Sequence, residues 1–280
     1  VLNPIFIYGF YFIPAMGISG IALATLCAQL YGLIYIIYKV NQTDLKKYIY
    51  PECFYPKLSL LKDIIRQAIP ATGSMIFIGL GIFVLLYYVS IYGDYSAGGY
   101  GAAIRFEQLF LLPVLGLNAS TLSLVGQNFG ALKFDRIRET YLKSVLYGTV
   151  FMGICGIFIF FASNYIMIFF SSDPQIIYYG STYLKIAAFA GPCYPIFFIS
   201  SALLQGLKKP IYQMIINLMR MVILPIFALT IAVIYLKVSF LTMFLVILSI
   251  NYVFATLVFW FSVYQIKIES KNYNPNLAAV

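Results

Sequence analysis

The sequence predicts an all-α integral membrane protein, a polytopic helical bundle of about seven full spans behind a shortened first one. Three observations carry that reading. The 280 residues are 62% apolar and only 10% charged, with a mean hydropathy of +0.91. Soluble domains carry about 25% charge and about 45–50% apolar residues, so too little polar surface remains to cover a globule in water. Apolar runs long enough to cross about 30 Å of hydrocarbon recur along the chain. The basic residues fall in short segments between those runs.

The first apolar stretch, residues 5–13, is too short to span a bilayer. The chain opens on Val1 with no charged n-region or cleavage site. It therefore reads as a fragment that starts inside a helix. Runs of spanning length follow at 17–38, 69–92, 98–125, 141–161, 176–205, 211–236 and 240–263. Their continuity favours helices, because barrel strands would alternate apolar and polar side chains over about ten residues. Tyr8, Tyr38, Tyr92, Tyr235 and Tyr264 stand near run ends, as an interfacial aromatic belt requires.

The longest hydrophilic stretch, 39–66, is basic and holds Pro51 and Pro56. It reads as a linker between two bundles. The expected division is 1–40 as the remnant of an N-terminal lobe and 41–66 as a cytoplasmic inter-lobe linker. A six-helix lobe follows over 67–266, then a cytoplasmic tail over 267–280.

Orientation follows from the basic residues. Lys39, Lys46, Lys47, Lys57, Lys62 and Arg66 fall on one side, with Lys133, Arg136, Arg138, Lys143, Lys208, Lys209, Lys267 and Lys271. The other side has Lys237 alone. Positive charge marks the cytoplasmic side, which places the C-terminus there and turns Asp94 and Asp173 outward. The same distribution argues against nucleic acid as a partner, since a net charge of +9 spread over loops forms no basic face. Histidine is absent, and Cys27, Cys53, Cys155 and Cys193 show no paired spacing. Neither a disulfide framework nor a zinc site is indicated. A membrane-embedded enzyme would need converging His, Asp, Glu or Ser groups at depth, and the runs hold one carboxylate.

Charge inside hydrocarbon is the clearest functional signal, because Arg, Lys or Asp at a helix centre costs about 2.5–3.5 kcal/mol. Arg105 and Glu107 fall inside one run. Two positions apart, they point to different faces and cannot pair as i,i+4 neighbours do. Each expects a partner on another helix, or water. Glu107 is either a proton- or substrate-linked carboxylate with Arg105 as electrostatic partner, or the two belong to a buried ion-pair network that locks helices. Arg220 stands mid-run with Asn217 one turn earlier on the same face. It either lines a cavity or satisfies carbonyls freed by Pro225. Lys185 lies near an outer end, where it can snorkel. Gly126, Gln127, Asn128 and Gly130 close another run and suit a hinge or tether. Pro192 and Pro195 break a helix at depth, as transporter cavities and hinges often do. Most Phe and Tyr residues face lipid or pack, and a minority lining a cavity would suit flat cations.

An ordered series of motifs then carries a resemblance. Gly101-Ala102-Ala103-Ile104-Arg105-Phe106-Glu107-Gln108 leads into Leu112-Pro113 and Leu115-Gly116-Leu117, then Gly126-Gln127-Asn128-Phe129-Gly130-Ala131. Gln205-Gly206-Leu207-Lys208-Lys209-Pro210, and Arg220 with Pro225, follow. Upstream stand Asn3-Pro4-Ile5-Phe6 and Gly17-Ile18-Ser19-Gly20. The series resembles the multidrug and toxic compound extrusion (MATE) family from the end of its fifth helix to its twelfth. The resemblance implies twelve-helix antiporters in two six-helix lobes in the plasma (inner) membrane. They exchange Na⁺ or H⁺ for small amphipathic, often cationic, molecules, without a cofactor. It adds Gln108 to the ion or substrate pathway, Pro113 to the helix-break positions, and the missing N-terminal lobe to the partners. One departure stands out. Where some members hold Na⁺-binding carboxylates on the seventh and tenth helices, this chain has Ile78 and Gly79, and Tyr194 and Pro195. Alternatives are a lipid-linked oligosaccharide flippase of the same superfamily, or a non-transporting structural membrane fragment.

Overall fold

The computed structural model describes residues 2–9, 14–43 and 57–273. Lys46, Lys47, Pro51, Cys53 and Pro56, the end of the 5–13 stretch and the end of the tail lie outside the described residues. The chain divides into two compact units, Val1–Lys62 and Asp63–Val280.

In the first unit α1 (Leu2–Tyr8) packs on α2 (Gly17–Asn41). The Met16 amide donates to the Phe6 carbonyl at 3.0 Å, which ties the start of α2 to α1. Lys39 sits in the last turn of α2, where a cation complements the helix dipole.

The second unit is an all-α bundle. It is built from α3 (Leu58–Ser90), which starts just ahead of the unit boundary, α4 (Asp94–Gly130), α5 (Phe134–Phe170), α6 (Pro174–Ala190), α7 (Cys193–Gly206), α8 (Pro210–Tyr235) and α9 (Phe240–Tyr273). Among the described residues six helices are long and apolar enough to span a membrane, or seven with α6 and α7 taken as one bent span. Those seven are the runs read from the sequence. The 176–205 run is two helices meeting at 54°, the break expected at Pro192, which removes a backbone donor and clashes with the preceding turn. Two features differ from the sequence expectation. α8 carries two π segments, Leu218–Ile223 and Thr230–Tyr235. They flank the short α-helical piece that holds Pro225, and a π turn absorbs the residue whose hydrogen bond is missing. Finally, α3 begins at Leu58, inside the stretch read as linker, and α9 runs on to Tyr273. Charge alone marked those ends as loop, whereas Leu58, Leu61 and Ile65 keep helical spacing.

α4 is the central helix, packed along α5, α6 and α7. Small residues allow this, since apolar burial gives little drive between helices already in lipid. A Cβ on Gly99 would lie 2.7 Å from the Ile176 carbonyl oxygen and 2.8 Å from the Gly180 nitrogen, so α4 and α6 touch backbone to backbone. Outward, Phe83, Phe161, Phe169 and Trp260 are 71%, 76%, 87% and 65% exposed. Such a surface suits hydrocarbon and would aggregate in water.

One end of the bundle holds the 91–93, 171–173 and 236–239 connections. There Asp173 caps α6, accepting from the Gln175 amide at 2.8 Å with Pro174 at the first helical position. The other end holds the 131–133 and 207–209 connections, with Arg66, Lys133, Arg136, Arg138, Lys208, Lys209, Lys267 and Lys271 in the adjoining turns.

Candidate functional site: a polar-lined cavity

Inside the second unit α3, α4, α6, α7, α8 and α9 line a cavity of about 380 Å³ that is open on one side. That volume falls within the range of small-molecule sites, roughly 300–1,000 Å³. The wall is mostly apolar and aromatic, with Met75, Leu85, Phe197, Phe198, Phe244 and Ile247. Polar groups enter it from five of the helices.

Glu107 arrives from α4, about 20 Å from the Asp94 end at about 1.5 Å per residue, and is 5% exposed. The Tyr183 hydroxyl on α6 donates to its Oε2 at 2.5 Å. Its Oε1 has no hydrogen-bond partner. The hydroxyl of Tyr194, in the first turn of α7, lies beside the same carboxyl. The two tyrosines stand on opposite sides of the helix break. Tyr100 and Phe244 meet the Tyr183 ring edge-on, each at 4.9 Å between centroids, which fixes the direction of its hydroxyl.

Arg220 comes from the first π segment of α8 and is 9% exposed. Its Nη1 donates to Asn251 Oδ1 on α9 at 3.0 Å. Its guanidinium lies over the Phe197 ring at 3.8 Å, a cation–π contact in a water-poor setting. Its Nε has no partner. A turn away, Asn217 Nδ2 donates to Ser74 Oγ on α3 at 2.5 Å. Further along, Gln205 Nε2 donates to Gln213 Oε1 at 2.8 Å, joining α7 to α8.

The structure thus brings Glu107, Gln108, Asn217 and Arg220 to one cavity, together with Pro225. Arg105 is elsewhere. It is exposed on another face of α4, and no ion pair reaches it among the described residues. The ion-pair network offered as one reading of Arg105 and Glu107 is therefore not formed here. The reason is helical geometry: two positions apart puts about 200° between them. Nor does Arg220 bond a carbonyl near Pro225, since the amide of Asn251 takes that place. Pro113 lies on an exposed face of α4, which continues through it. Gly126, Gln127, Asn128 and Gly130 form the last turns of α4. Gln127 bonds Ser123 Oγ at 3.3 Å and Asn128 the Leu124 carbonyl at 2.8 Å, both within the helix. Pro192 opens α7 and Pro195 is buried against Gly148 of α5.

Sequence reasoning missed Tyr183, Ser74, Asn251 and a second polar cluster. In that cluster Lys209, in the α7–α8 connection, meets Glu269 at 2.5 Å and donates to Gln265 Oε1 at 3.0 Å, both on α9. An Asn at the middle of the 240–263 run was the available signal for Asn251. Nothing singled out Tyr183 among 25 tyrosines. No group of three or more His, Cys, Asp or Glu able to hold a metal occurs among the described residues.

The family model described as MatE matches residues 70–230. The chain is 28% identical over 222 residues to a probable multidrug resistance protein, YpnP, of Bacillus subtilis (strain 168), covering 78% of this chain and 48% of that one. It is 28% identical over 183 residues to a probable multidrug resistance protein, NorM, of Thermotoga maritima, covering 64% and 39%. An FAD transporter of Shewanella oneidensis is 27% identical over 227 residues, covering 80% and 50%. The chain spans half or less of the length of these relatives. Among solved structures, a MOP superfamily transporter from Pyrococcus furiosus superposes with a TM-score of 0.85 at 23% identity, covering 96% of this chain and 60% of that one. A multidrug resistance MATE family transporter in an outward-facing conformation gives a TM-score of 0.85 at 23% identity, covering 96% and 59%. At such identity the likeness shows the fold.

Proposed function

The chain belongs to the MatE family, and from that premise we propose that it is part of a secondary active multidrug efflux transporter. Such a protein is an antiporter that exports small amphipathic, often cationic, molecules against Na⁺ or H⁺ by alternating access. It sits in the plasma (inner) membrane with its C-terminus in the cytoplasm, and the missing N-terminal lobe completes it. It needs no cofactor and performs no covalent chemistry.

The observation that carries this reading is the lone carboxyl of Glu107 in the cavity wall, 5% exposed, beside the hydroxyls of Tyr183 and Tyr194. A carboxyl at membrane depth is costly, and no cation pairs with it among the described residues. Such a group can take up an exchanged proton or attract a cationic substrate. Of the two ions, H⁺ fits better. Na⁺ wants several oxygen ligands with enough negative charge to replace its water, and no second carboxylate stands at Ile78, Gly79, Tyr194 or Pro195. The 54° break and the π segments of α8 are places where helices can bend, as alternating access requires. The exposed polar turns of Gly126, Gln127, Asn128 and Gly130 are a candidate face toward the other lobe. A lipid-linked oligosaccharide flippase would want several cations in the cavity, and among the described residues Arg220 is the cation that lines it.

The test uses the full-length protein in inverted membrane vesicles, with ethidium as substrate and imposed pH or Na⁺ gradients. Glu107→Gln is expected to cut pH-driven transport roughly tenfold or more, a loss of about 1.4 kcal/mol or more, at unchanged protein level. Wild-type rates with unaltered ion dependence would remove Glu107 from coupling.

A further inference from the structure

Lys185 is a charge inside a span that the cavity does not use. It lies about 16 Å from the Pro174 end of α6 by helix rise. It is partly exposed, and no ion pair reaches it among the described residues. Tyr183, Ile186, Ala187 and Ala190 turn one face of α6 to the cavity. Two positions from Tyr183, Lys185 falls on the opposite face, about 200° round the helix. A cation at such depth is costly unless an anion or water meets it. Helical side chains lean toward the N-terminus, so this one reaches toward the end of the bundle that holds the 171–173 connection.

One turn further along the same side, Phe189 lines a second concavity, of about 310 Å³. The groove follows from the helix break. Pro192, where α6 and α7 meet at 54°, cannot donate to the Ala188 carbonyl. A Cβ on Gly156 would clash with that carbonyl, so α5 closes on the break only through a glycine. A Cβ on Gly153 would meet nothing within 4 Å, and space remains beside it. Phe160 and Phe161 of α5 and Tyr252 of α9 wall that space. The Tyr252 hydroxyl donates to the Phe189 carbonyl at 2.8 Å, which occupies that acceptor. Ile154, Ile157, Phe161 and Val253 are exposed around the groove, so it opens toward hydrocarbon.

We propose that this groove holds one acyl chain of an anionic glycerophospholipid whose phosphate meets Lys185. Three features select that occupant. The lining has no polar side chain besides Tyr252, which suits a hydrocarbon chain and leaves a polar solute little to bond. The charge beside it is positive and lacks an ion-pair partner among the described residues, so the headgroup it complements is an anion. Phe161 lies nearer the 171–173 end and Gly153 further from it, so the groove runs inward from the lysine as a chain hangs from its headgroup. A zwitterionic lipid would bring a cation of its own to Lys185, and a second helix laid here would have to bury the lysine.

The experiment places the full-length protein in phosphatidylcholine nanodiscs doped with photoactivatable phosphatidylglycerol or phosphatidylcholine. Each probe carries a diazirine on one acyl chain, and mass spectrometry maps the adducts. Phosphatidylglycerol is expected to label residues 153–161, 188–192 and Tyr252 about fivefold more than phosphatidylcholine, the gain one basic residue gives against an anionic headgroup. Lys185→Gln should bring the two lipids level there, and Lys185→Arg should keep the preference. Gly153→Leu, whose side chain enters the groove from an open position, should cut labelling by both lipids there and leave it unchanged elsewhere. Neither position lines the cavity, so ethidium transport by the variants checks that they fold. Equal labelling of the groove by the two lipids in the wild type overturns the proposal, as does a preference that survives Lys185→Gln. Adducts no denser at the groove than around exposed Phe169 would mark ordinary contact with bulk lipid and overturn it too. A groove with no adducts at all is covered by protein, which overturns it equally.

Discussion

At the scale of single residues the second unit is organised by a few polar bonds in a hydrocarbon-like interior. The bond from Tyr183 to Glu107 is the most consequential, because the carboxyl is buried and that bond satisfies one of its two oxygens. Tyr183→Phe removes that donor from a buried carboxyl and is expected to destabilise the protein by about 1–3 kcal/mol. The same change in a Glu107→Met background should cost much less, since a flexible apolar side chain of similar length needs no donor. The coupling in this double-mutant cycle is expected at about 1–2 kcal/mol. Unfolding titrations with SDS on the full-length protein measure it, and strictly additive effects would show that the bond contributes nothing. This is also where the site was partly legible in the sequence. Glu107 and Arg220 stood out because charge is rare inside apolar runs, and Asn217 because it shares a face with Arg220. Tyr183 did not, since a tyrosine that orients a carboxyl looks like one that packs or faces lipid. Arg105 looked like Glu107 in the sequence, and only the side of α4 it occupies separates them. The partner of Arg220 was hidden for another reason: the facing residue on α9 depends on how two helices with no sequence link are rotated against each other.

At the scale of elements, close backbone approach sets which helices can adjoin α4. Gly99 is the tightest point, where an added Cβ would meet backbone atoms of Ile176 and Gly180 that cannot rotate away. Gly99→Ala is therefore expected to cost about 1–3 kcal/mol by forcing α4 and α6 apart. Gly101→Ala on the same helix meets nothing within 4 Å. It should be neutral, or stabilising by about 0.5–1 kcal/mol through helix propensity. Thermal melts of the two full-length variants give the comparison, and a Gly99→Ala protein as stable as Gly101→Ala would refute the close packing. The helices themselves were legible because hydrocarbon imposes length and apolarity on each run, and prolines at 192 and 195 announced a break. The two π segments of α8 were not legible. A proline states that one hydrogen bond is missing, while the way the helix absorbs the loss depends on neighbours such as Ser74 and Asn251 that grip its polar side chains.

At the scale of the whole molecule, the division of charge between the two ends of the bundle is the property that places it in a membrane. Arg66, Lys133, Arg136, Arg138, Lys208, Lys209, Lys267 and Lys271 gather at one end, while the other shows Asp94, Asp173 and Lys237. Insertion retains Lys and Arg of short loops in the cytoplasm, so the asymmetry predicts which end labels from outside. The 171–173 connection joins α5 to α6 and the 131–133 connection joins α4 to α5, so a single helix length separates them. Ser172→Cys and Lys133→Cys, each in a full-length protein with its native cysteines replaced, form a matched pair for a membrane-impermeant maleimide. Ser172→Cys should react in intact cells, and Lys133→Cys only after permeabilisation. Lys209 and its partner Glu269 fall at the end assigned to the cytoplasm, so the ion pair that ties the α7–α8 connection to α9 would then face the cell interior. Labelling of Lys133→Cys in intact cells would invert the molecule. It would move that pair to the outside and reverse the direction from which a substrate first meets the cavity.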